Sequence, residues 1–305
     1  MATVDPAILF MPVEQADGPL QMARDEVMLQ QAEQGIASFR IYLWSEPTLS
    51  IGYFQNANEC LKDAALANLP LVRRMTGGGA IVHGQQVALS SGATLTDWTY
   101  ALALPARLVA GKPAYQWHDA IHGALCTVLG TFGLAAEILP RHAGQRALAP
   151  EQLIPSGSRP LLSGAAADLP PSLRGVSCLY QRSPAPGQHQ EPASSALREG
   201  DPPRDPDAAV RACAFLCFAR PAPGDVVWCG RKIVGSAQRL RRGALLQHGA
   251  IFLPHWPCDA ETLARLWLAE LGWSVQTTTW SQQQLQQARE LAERKYRQPS
   301  WNLRR

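Results

Sequence analysis

From Pro140 to Arg211 the chain fills with Pro, Gly, Ser, Ala and Arg, and this stretch constrains how everything around it can fold. Pro170-Pro171, Ser183-Pro184-Ala185-Pro186-Gly187 and Asp201-Pro202-Pro203 remove backbone donors and fix φ. Neither the helical nor the strand period survives there for long. The composition buries too little apolar surface to offset the entropy of ordering it. Structureless segments beyond about 15 residues are uncommon inside compact bodies. Residues 140–211 are therefore expected to project as an irregular insertion within a single domain spanning residues 1–305.

The flanking pieces keep clear periods. Pro19 to Gln34 carries apolar residues at Leu20, Met22, Ala23, Val27 and Leu29, and Gly35 follows where a helix C-cap belongs. Phe39–Trp44 alternates and Thr48–Tyr53 is β-prone, so both predict strands. Asn58–Ala67 predicts a short helix. Val72–Arg74 and Ala80–Val82 flank three glycines, which predicts strand, tight turn, strand. Val87–Leu95 predicts another strand pair, Tyr115–Leu134 a helix, and Ala135–Leu139 a strand. Beyond the insertion, Ala212–Ala219, Asp225–Trp228, Lys232–Gln238 and Ala244–Phe252 read as strands, then Asp259–Leu271 and Ser281–Arg297 as helices. Such segregation predicts an α+β domain with a mostly antiparallel or mixed sheet flanked by helices.

Composition excludes several classes. The formal net charge of +3 is too small to argue for nucleic acid, and the Arg239–Arg242 run lacks interleaved aromatics. No apolar run approaches the ~18 residues a membrane helix needs. The N-terminus has no signal-peptide pattern. Seven cysteines, at 60, 126, 178, 213, 217, 229 and 258, contain no CxxC pair. They predict neither metal nor disulfide framework, but reduced thiols in a cytoplasmic protein.

Four segments carry chemistry. In Arg73-Arg74-Met75-Thr76-Gly77-Gly78-Gly79-Ala80-Ile81-Val82-His83, consecutive glycines permit close approach of backbone to a ligand. Their N–H groups can line a carbonyl or phosphate site. Three glycines alone would more often make a plain hairpin turn; two arginines before and a histidine after reverse that balance toward a pocket. In Gly230-Arg231-Lys232-Ile233-Val234-Gly235-Ser236-Ala237-Gln238-Arg239, small neighbours leave room around the Lys232 amine, though a lone lysine is usually a solvated charge. Cys217 in Phe215-Leu216-Cys217-Phe218-Ala219 is either a buried strand cysteine or a nucleophile. His248 interrupts an apolar strand, as a satisfied core histidine or as a functional one.

Together these segments resemble the catalytic domain of the biotin/lipoate protein ligase family, a class II synthetase-like fold. The glycine segment is similar to the family's lipoyl-pocket signature, and Gly230–Arg239 to its catalytic-lysine motif. Leu245–Ile251, Pro47–Gln55 and the closing Lys295-Tyr296 and Trp301-Asn302 also fit, so the resemblance covers nearly all of the chain except the insertion. The wording around Gln238 is most similar to the octanoyltransferase branch.

The resemblance implies catalytic residues Cys217 and Lys232. It implies a substrate pocket from Arg73, Arg74, Thr76, Gly77, Gly78, Gly79, His83, Gly235, Ser236, Ala237 and His248, with Leu71, Val82 and Ile233 along the acyl slot. In the octanoyltransferase branch, an octanoyl group passes from acyl carrier protein to the cysteine. It then passes to a lysine of a lipoyl-domain protein or glycine cleavage H protein, without cofactor, nucleic acid or membrane. A thiol near its free pKa of ~8.5 needs a nearby cation for this, here Lys232, which would also take the acceptor's proton. Cys213 is a rival on the same strand face, but its Arg-Ala-Cys-Ala setting does not match. In the ligase branch, ATP and Mg would make an acyl-adenylate. Such ligases usually carry or borrow an accessory C-terminal domain, for which no room is expected after Asn302. A non-catalytic lipoyl-binding homologue is the alternative of another class.

Overall fold

The computed structural model describes residues 7–84, 87–88, 94–141, 218 and 221–304. Cys217, the insertion beyond Arg141 and the expected strand Ala212–Ala219, apart from Phe218, lie outside the described residues. The chain begins with β1 (Ala7–Phe10), β2 (Glu14–Ala16), α1 (Gly18–Glu33), β3 (Ser38–Trp44) and β4 (Thr48–Ile51). Then come α2 (Ala57–Cys60), α3 (Ala64–Ala67), β5 (Leu71–Arg73), β6 (Ile81–His83), β7 (Val87–Ala88) and β8 (Thr94–Leu104). The order continues with α4 (Ala106–Val109), α5 (Ala114–Thr131), β9 (Glu137–Ile138), β10 (Val226–Trp228), β11 (Arg231–Arg241) and β12 (Ala244–Leu253). It closes with α6 (Ala260–Glu270), β13 (Ser274–Thr277), α7 (Gln282–Leu291), a π-helical turn Ala292–Tyr296, and α8 (Pro299–Asn302).

The main sheet is mixed, in the order β13-β1-β3-β8-β12-β11-β10-β9. Its first three strands run parallel and the pairs from β3–β8 to β10–β9 are antiparallel. One face packs on α5 and α6, whose apolar stripes place Trp117, Ile121, Leu125, Leu263 and Trp267 in a common core. Fully buried Trp267 donates its indole N–H to the Ile121 carbonyl at 2.7 Å and meets Phe39 and Tyr100 edge-on. Burial of a side chain that large contributes on the order of 3 kcal/mol. The other face takes α1, α7 and the π-helical turn.

Helix α1 begins where the sequence signals it. The Asp17 side chain accepts from the Leu20 amide, Pro19 occupies the first turn, and Gly35 takes φ +98° just past the end. Its inner face is unusually polar: Gln21, Arg24, Asp25 and Glu26 are all buried. Glu26 receives Lys295 Nζ at 2.6 Å and the Tyr296 hydroxyl at 2.7 Å, which ties α1 to the closing segment.

Three expectations need correction. The glycine segment is not a hairpin turn: β5 and β6 do not pair with each other but lie on either side of β4, parallel and antiparallel to it. Crossing over β4 is what the consecutive glycines permit. The helix expected over Asn58–Ala67 splits into α2 and α3, because Asn56 and Asp63 each cap a new start. Cys60, Cys126 and Cys258 are free, whereas Cys229, at φ 50° in the turn before β11, is disulfide-bonded. The expectation of reduced thiols fails at that position. No helix among the described residues is long and apolar enough to cross a membrane.

Candidate active site

The three-stranded sheet β5-β4-β6 and the main sheet enclose a cavity with about 370 Å³ of empty space, partly open to solvent. Met22, Tyr42, Trp44, Ile81 and Ala250 give it an apolar and aromatic wall. Arg74, His83, Thr99, Ser236 and His248 give it polar groups, and Gly78, Gly235, Ala237 and Gly249 complete the lining.

Arg74 shapes the glycine loop. Its guanidinium donates to the Ser50 carbonyl and hydroxyl at 2.8 and 2.7 Å, and to the carbonyls of Gly77 and Gly79 at 3.2 and 2.8 Å. The loop folds around one cation. Gly78 takes φ +90°, and a Cβ on it would lie 3.6 Å from the Ala237 Cβ, so the loop rests against β11.

Three histidines meet hydroxyls around this cavity. His83 stacks on Trp44 at 4.1 Å between ring centroids. Its Nδ1–H donates to Asp97 at 3.1 Å, and its Nε2 lies 2.9 Å from Ser50 Oγ. Burial pushes its pKa down, against the pull of Asp97. His248 Nδ1–H donates to Asp25 at 2.7 Å, with Nε2 2.6 Å from Thr76 Oγ. Asp25 also accepts from Arg40 at 2.6 Å and from the Tyr42 hydroxyl at 3.1 Å. Burial alone would raise the Asp25 pKa, but Arg40 and His248 together hold it below the usual carboxylate range. His122, on α5, approaches the cavity from the opposite side, with Nε2 2.6 Å from Ser236 Oγ and Nδ1 2.6 Å from the Gly224 carbonyl oxygen.

Lys232 is not among the residues that line the cavity, but a bulge turns it onto the same strand face. Val226 pairs with Val234 and Val227 with Lys232, which leaves Ile233 as an extra residue in β11. Cross-strand partners share a face and successive residues alternate, so Lys232 and Val234 lie on opposite faces. Val234 faces the helix-side core. Lys232 therefore shares the face of Gly235 and Ala237, which line the cavity. Only 4% exposed, it pairs with Asp225 Oδ2 at 2.8 Å, and its Nζ lies 5.0 Å from the Phe218 ring. Phe218 in turn packs edge-on against Phe252, in one cluster with Ile81 and Ala250.

Of the residues expected from sequence, Arg74, Gly78, His83, Gly235, Ser236, Ala237 and His248 line the cavity. Gly77 and Gly79 contribute carbonyls to Arg74, and Thr76 stands behind His248. Arg73 lies elsewhere. It is fully buried, and its guanidinium donates to the carbonyls of Gly52, Tyr53, Gln55, Trp301, Asn302 and Arg304. Leu71 and Val82 pack in the small cluster under β4, and Ile233, as the bulge residue, points into the helix-side core, so none of them walls the cavity. Cys217 and Cys213 lie outside the described residues. Among the described residues no group of three His, Cys, Asp or Glu side chains could hold a metal ion.

Residues 17–100 match the lipoyl protein ligase A/B catalytic domain. Octanoyltransferase LipM of Oceanobacillus iheyensis is 26% identical over 239 residues, which is 77% of this chain and 60% of that protein. The LipM of Kyrpidia tusciae is 28% identical over 76% of this chain and 61% of its own length. That of Moorella thermoacetica is 29% identical over 78% and 62%. The chain thus spans about 60% of the length of these relatives. A lipoate-protein ligase A bound with ATP shares the fold at a TM-score of 0.55 and 16% identity, covering 97% of this chain and 98% of that one. The bi-partite lipoate protein ligase of Thermoplasma acidophilum gives the same TM-score and identity over 98% of each chain. The chain is thus similar to the lipoyl protein ligase A/B catalytic domain over residues 17–100, to LipM octanoyltransferases over about three quarters of its length, and to lipoate-protein ligases in fold.

Proposed function

We propose that this protein is an octanoyltransferase. It moves an octanoyl or lipoyl group from acyl carrier protein, through a thioester on Cys217, to a lysine of a lipoyl-domain protein or glycine cleavage H protein. The observation that carries the reading is the placement of Lys232. A bulge turns a buried amine onto the cavity face, where its Nζ lies 5.0 Å from the ring of Phe218, the residue that follows Cys217. The names of the relatives support the same reading.

In this mechanism the ammonium of Lys232 favours the Cys217 thiolate. The thiolate attacks the donor thioester, its bond to the acyl carbon forms as the carrier's C–S bond breaks, and the carrier leaves as thiolate. The acyl chain lies along Met22, Tyr42, Trp44 and Ile81, an apolar wall suited to a medium chain. The acceptor amine then attacks the acyl carbon, the C–S bond to Cys217 breaks, the sulfur departs as thiolate and the nitrogen's proton passes to solvent. Neither step needs a cofactor. A second reading rests on the fold shared with an ATP-bound lipoate-protein ligase: the same cavity would hold an acyl-adenylate and require ATP and Mg.

Mass spectrometry after mixing with octanoyl carrier protein separates the two. An octanoyl adduct on Cys217, absent in Cys217→Ser, supports the transferase. An unmodified Cys217 in protein that still acylates its acceptor with ATP present overturns it.

A further inference from the structure

The carboxylate beside Lys232 is held more firmly than a plain counter-ion needs. Lys232 Nζ lies 2.8 Å from Asp225 Oδ2, and both side chains are buried. The turn before β10 fixes Asp225 through its side chain and its main chain together. The Ala222 amide donates to Asp225 Oδ2 at 2.6 Å, and the Asp225 amide donates back to the Ala222 carbonyl at 3.0 Å. The Asp225 carbonyl accepts from the Leu139 amide at 2.9 Å, and the neighbouring Gly224 amide donates to the Leu139 carbonyl at 2.8 Å. Gly224 reaches this position at φ +92°, which favours glycine.

Such a carboxylate works against the first half of the reaction. An amine that serves only to favour a thiolate loses part of its pull to a neighbouring anion. The second half gives the carboxylate a purpose. Once Cys217 carries the acyl group it has no charge, so the thiolate that matched the ammonium is gone. A buried lysine without a counter-charge loses its proton readily. A neutral amine there would be a nucleophile of the same kind as the acceptor lysine. It would also stand close to the thioester, since Nζ lies 5.0 Å from the ring of Phe218, the next residue after Cys217.

We infer that Asp225 keeps Lys232 protonated through the acyl-enzyme stage and so prevents the protein from acylating itself. The inference rests on the transferase reading above. In the step that Asp225 blocks, the Lys232 nitrogen bonds to the acyl carbon and the C–S bond to Cys217 breaks. The sulfur leaves as thiolate and takes up the proton that the nitrogen sheds. The product is an amide on Lys232, which a second thiol or amine does not reverse, so each such event ends turnover. As an ammonium, Lys232 has donors and no acceptor, and can neither attack the acyl carbon nor take the acceptor's proton. Asp225 is thus a positioning residue that acts through Lys232.

Asp225→Asn tests this, because it keeps an oxygen for the Ala222 amide and removes the charge. Wild type and variant are each incubated with octanoyl carrier protein and no acceptor, then treated with neutral hydroxylamine, which cleaves thioesters and spares amides. Mass spectrometry then locates any octanoyl group that remains. Wild type should lose nearly all of it. Asp225→Asn should retain it on Lys232, about 10-fold or more above the wild-type level, since loss of a close counter-charge frees that much more neutral amine. A merely structural role for Asp225 would leave no such amide. Acylated Cys217 with unmodified Lys232 in Asp225→Asn, or equal amide in both proteins, would overturn the inference. Should Asp225→Asn fail to fold, Asp225→Ser, whose hydroxyl can still accept from the Ala222 amide, decides. A wild-type Cys217 that takes no octanoyl group before hydroxylamine is added sinks the transferase reading itself, and the role of Asp225 with it.

Discussion

A Cβ on Gly52 would lie 2.0 Å from the carbonyl oxygen of Gly78, so the glycine loop rests directly on the end of β4. The neighbour is backbone and cannot swing aside. Gly52→Ala should therefore displace the loop, cost about 1–3 kcal/mol as an overpacked site, and abolish transfer. At Gly77 a Cβ meets nothing within 4 Å. Gly77→Ala should stay within about 0.5 kcal/mol of wild type. Denaturant melts of the two variants, side by side, check the contrast.

The adjacent arginines should separate just as cleanly. Arg73 satisfies carbonyls at the end of β4 and in the closing segment, and Trp301 and Asn302 bond back to its own main chain. Arg73→Ala leaves several buried acceptors without a donor and should cost about 3 kcal/mol or more. Arg73→Lys should recover little, because an ammonium lacks the planar fork. Arg74→Ala should act mainly on transfer, through release of the glycine loop, which activity and melting measured together will show.

Stability should fall with acid in two stages. His83 and His122 are kept neutral by burial, whereas in the unfolded chain each takes a proton near pH 6.5. Below about that pH the unfolded state binds more protons, and each histidine that stays neutral costs about 1.4 kcal/mol per pH unit. Asp25 and Glu26 add a second loss below about pH 4, since burial is outweighed at Asp25 by Arg40 and His248 and at Glu26 by Lys295. Equilibrium melts between about pH 7 and 5 should show the first slope, and His122→Asn should flatten it.

The Lys232–Asp225 pair gives a coupled prediction. Both are buried, so Lys232→Met alone strands a carboxylate and should cost about 3–5 kcal/mol. Adding Asp225→Asn should restore part of that stability without restoring transfer. A double-mutant cycle in which the two losses simply add would contradict the coupling.

Periodicity made most of the frame legible. The spacing of Trp117, Ile121, Leu125 and Val128 outlines α5, and the alternation in Phe39–Trp44 outlines β3. What escaped was long-range. Nothing local says that β5 and β6 flank β4, because three glycines serve a crossover as well as a hairpin. The short strands β1 and β13 pair only with distant partners. In the site, the motifs flagged Arg74, Gly78, His83, Ser236 and His248, but Asp25 and His122 sit in helical patterns where a polar residue reads as a solvated position. Asp25 among Met22, Val27 and Met28, and His122 beside Ile121 and Leu125, were the available signals: polar residues held among buried apolar ones. Arg73 misled because the motif names both arginines, whereas its carbonyl partners come from segments distant in sequence.

The most direct test of the central claim is one acylation assay run with and without ATP. Octanoyl carrier protein, a lipoyl-domain acceptor and this protein are combined, and the acceptor's intact mass is followed. Octanoylation of the acceptor lysine is expected at the same rate in both arms. Modification that appears only with ATP and Mg would contradict it in favour of a ligase, and no modification in either arm would leave a binding homologue.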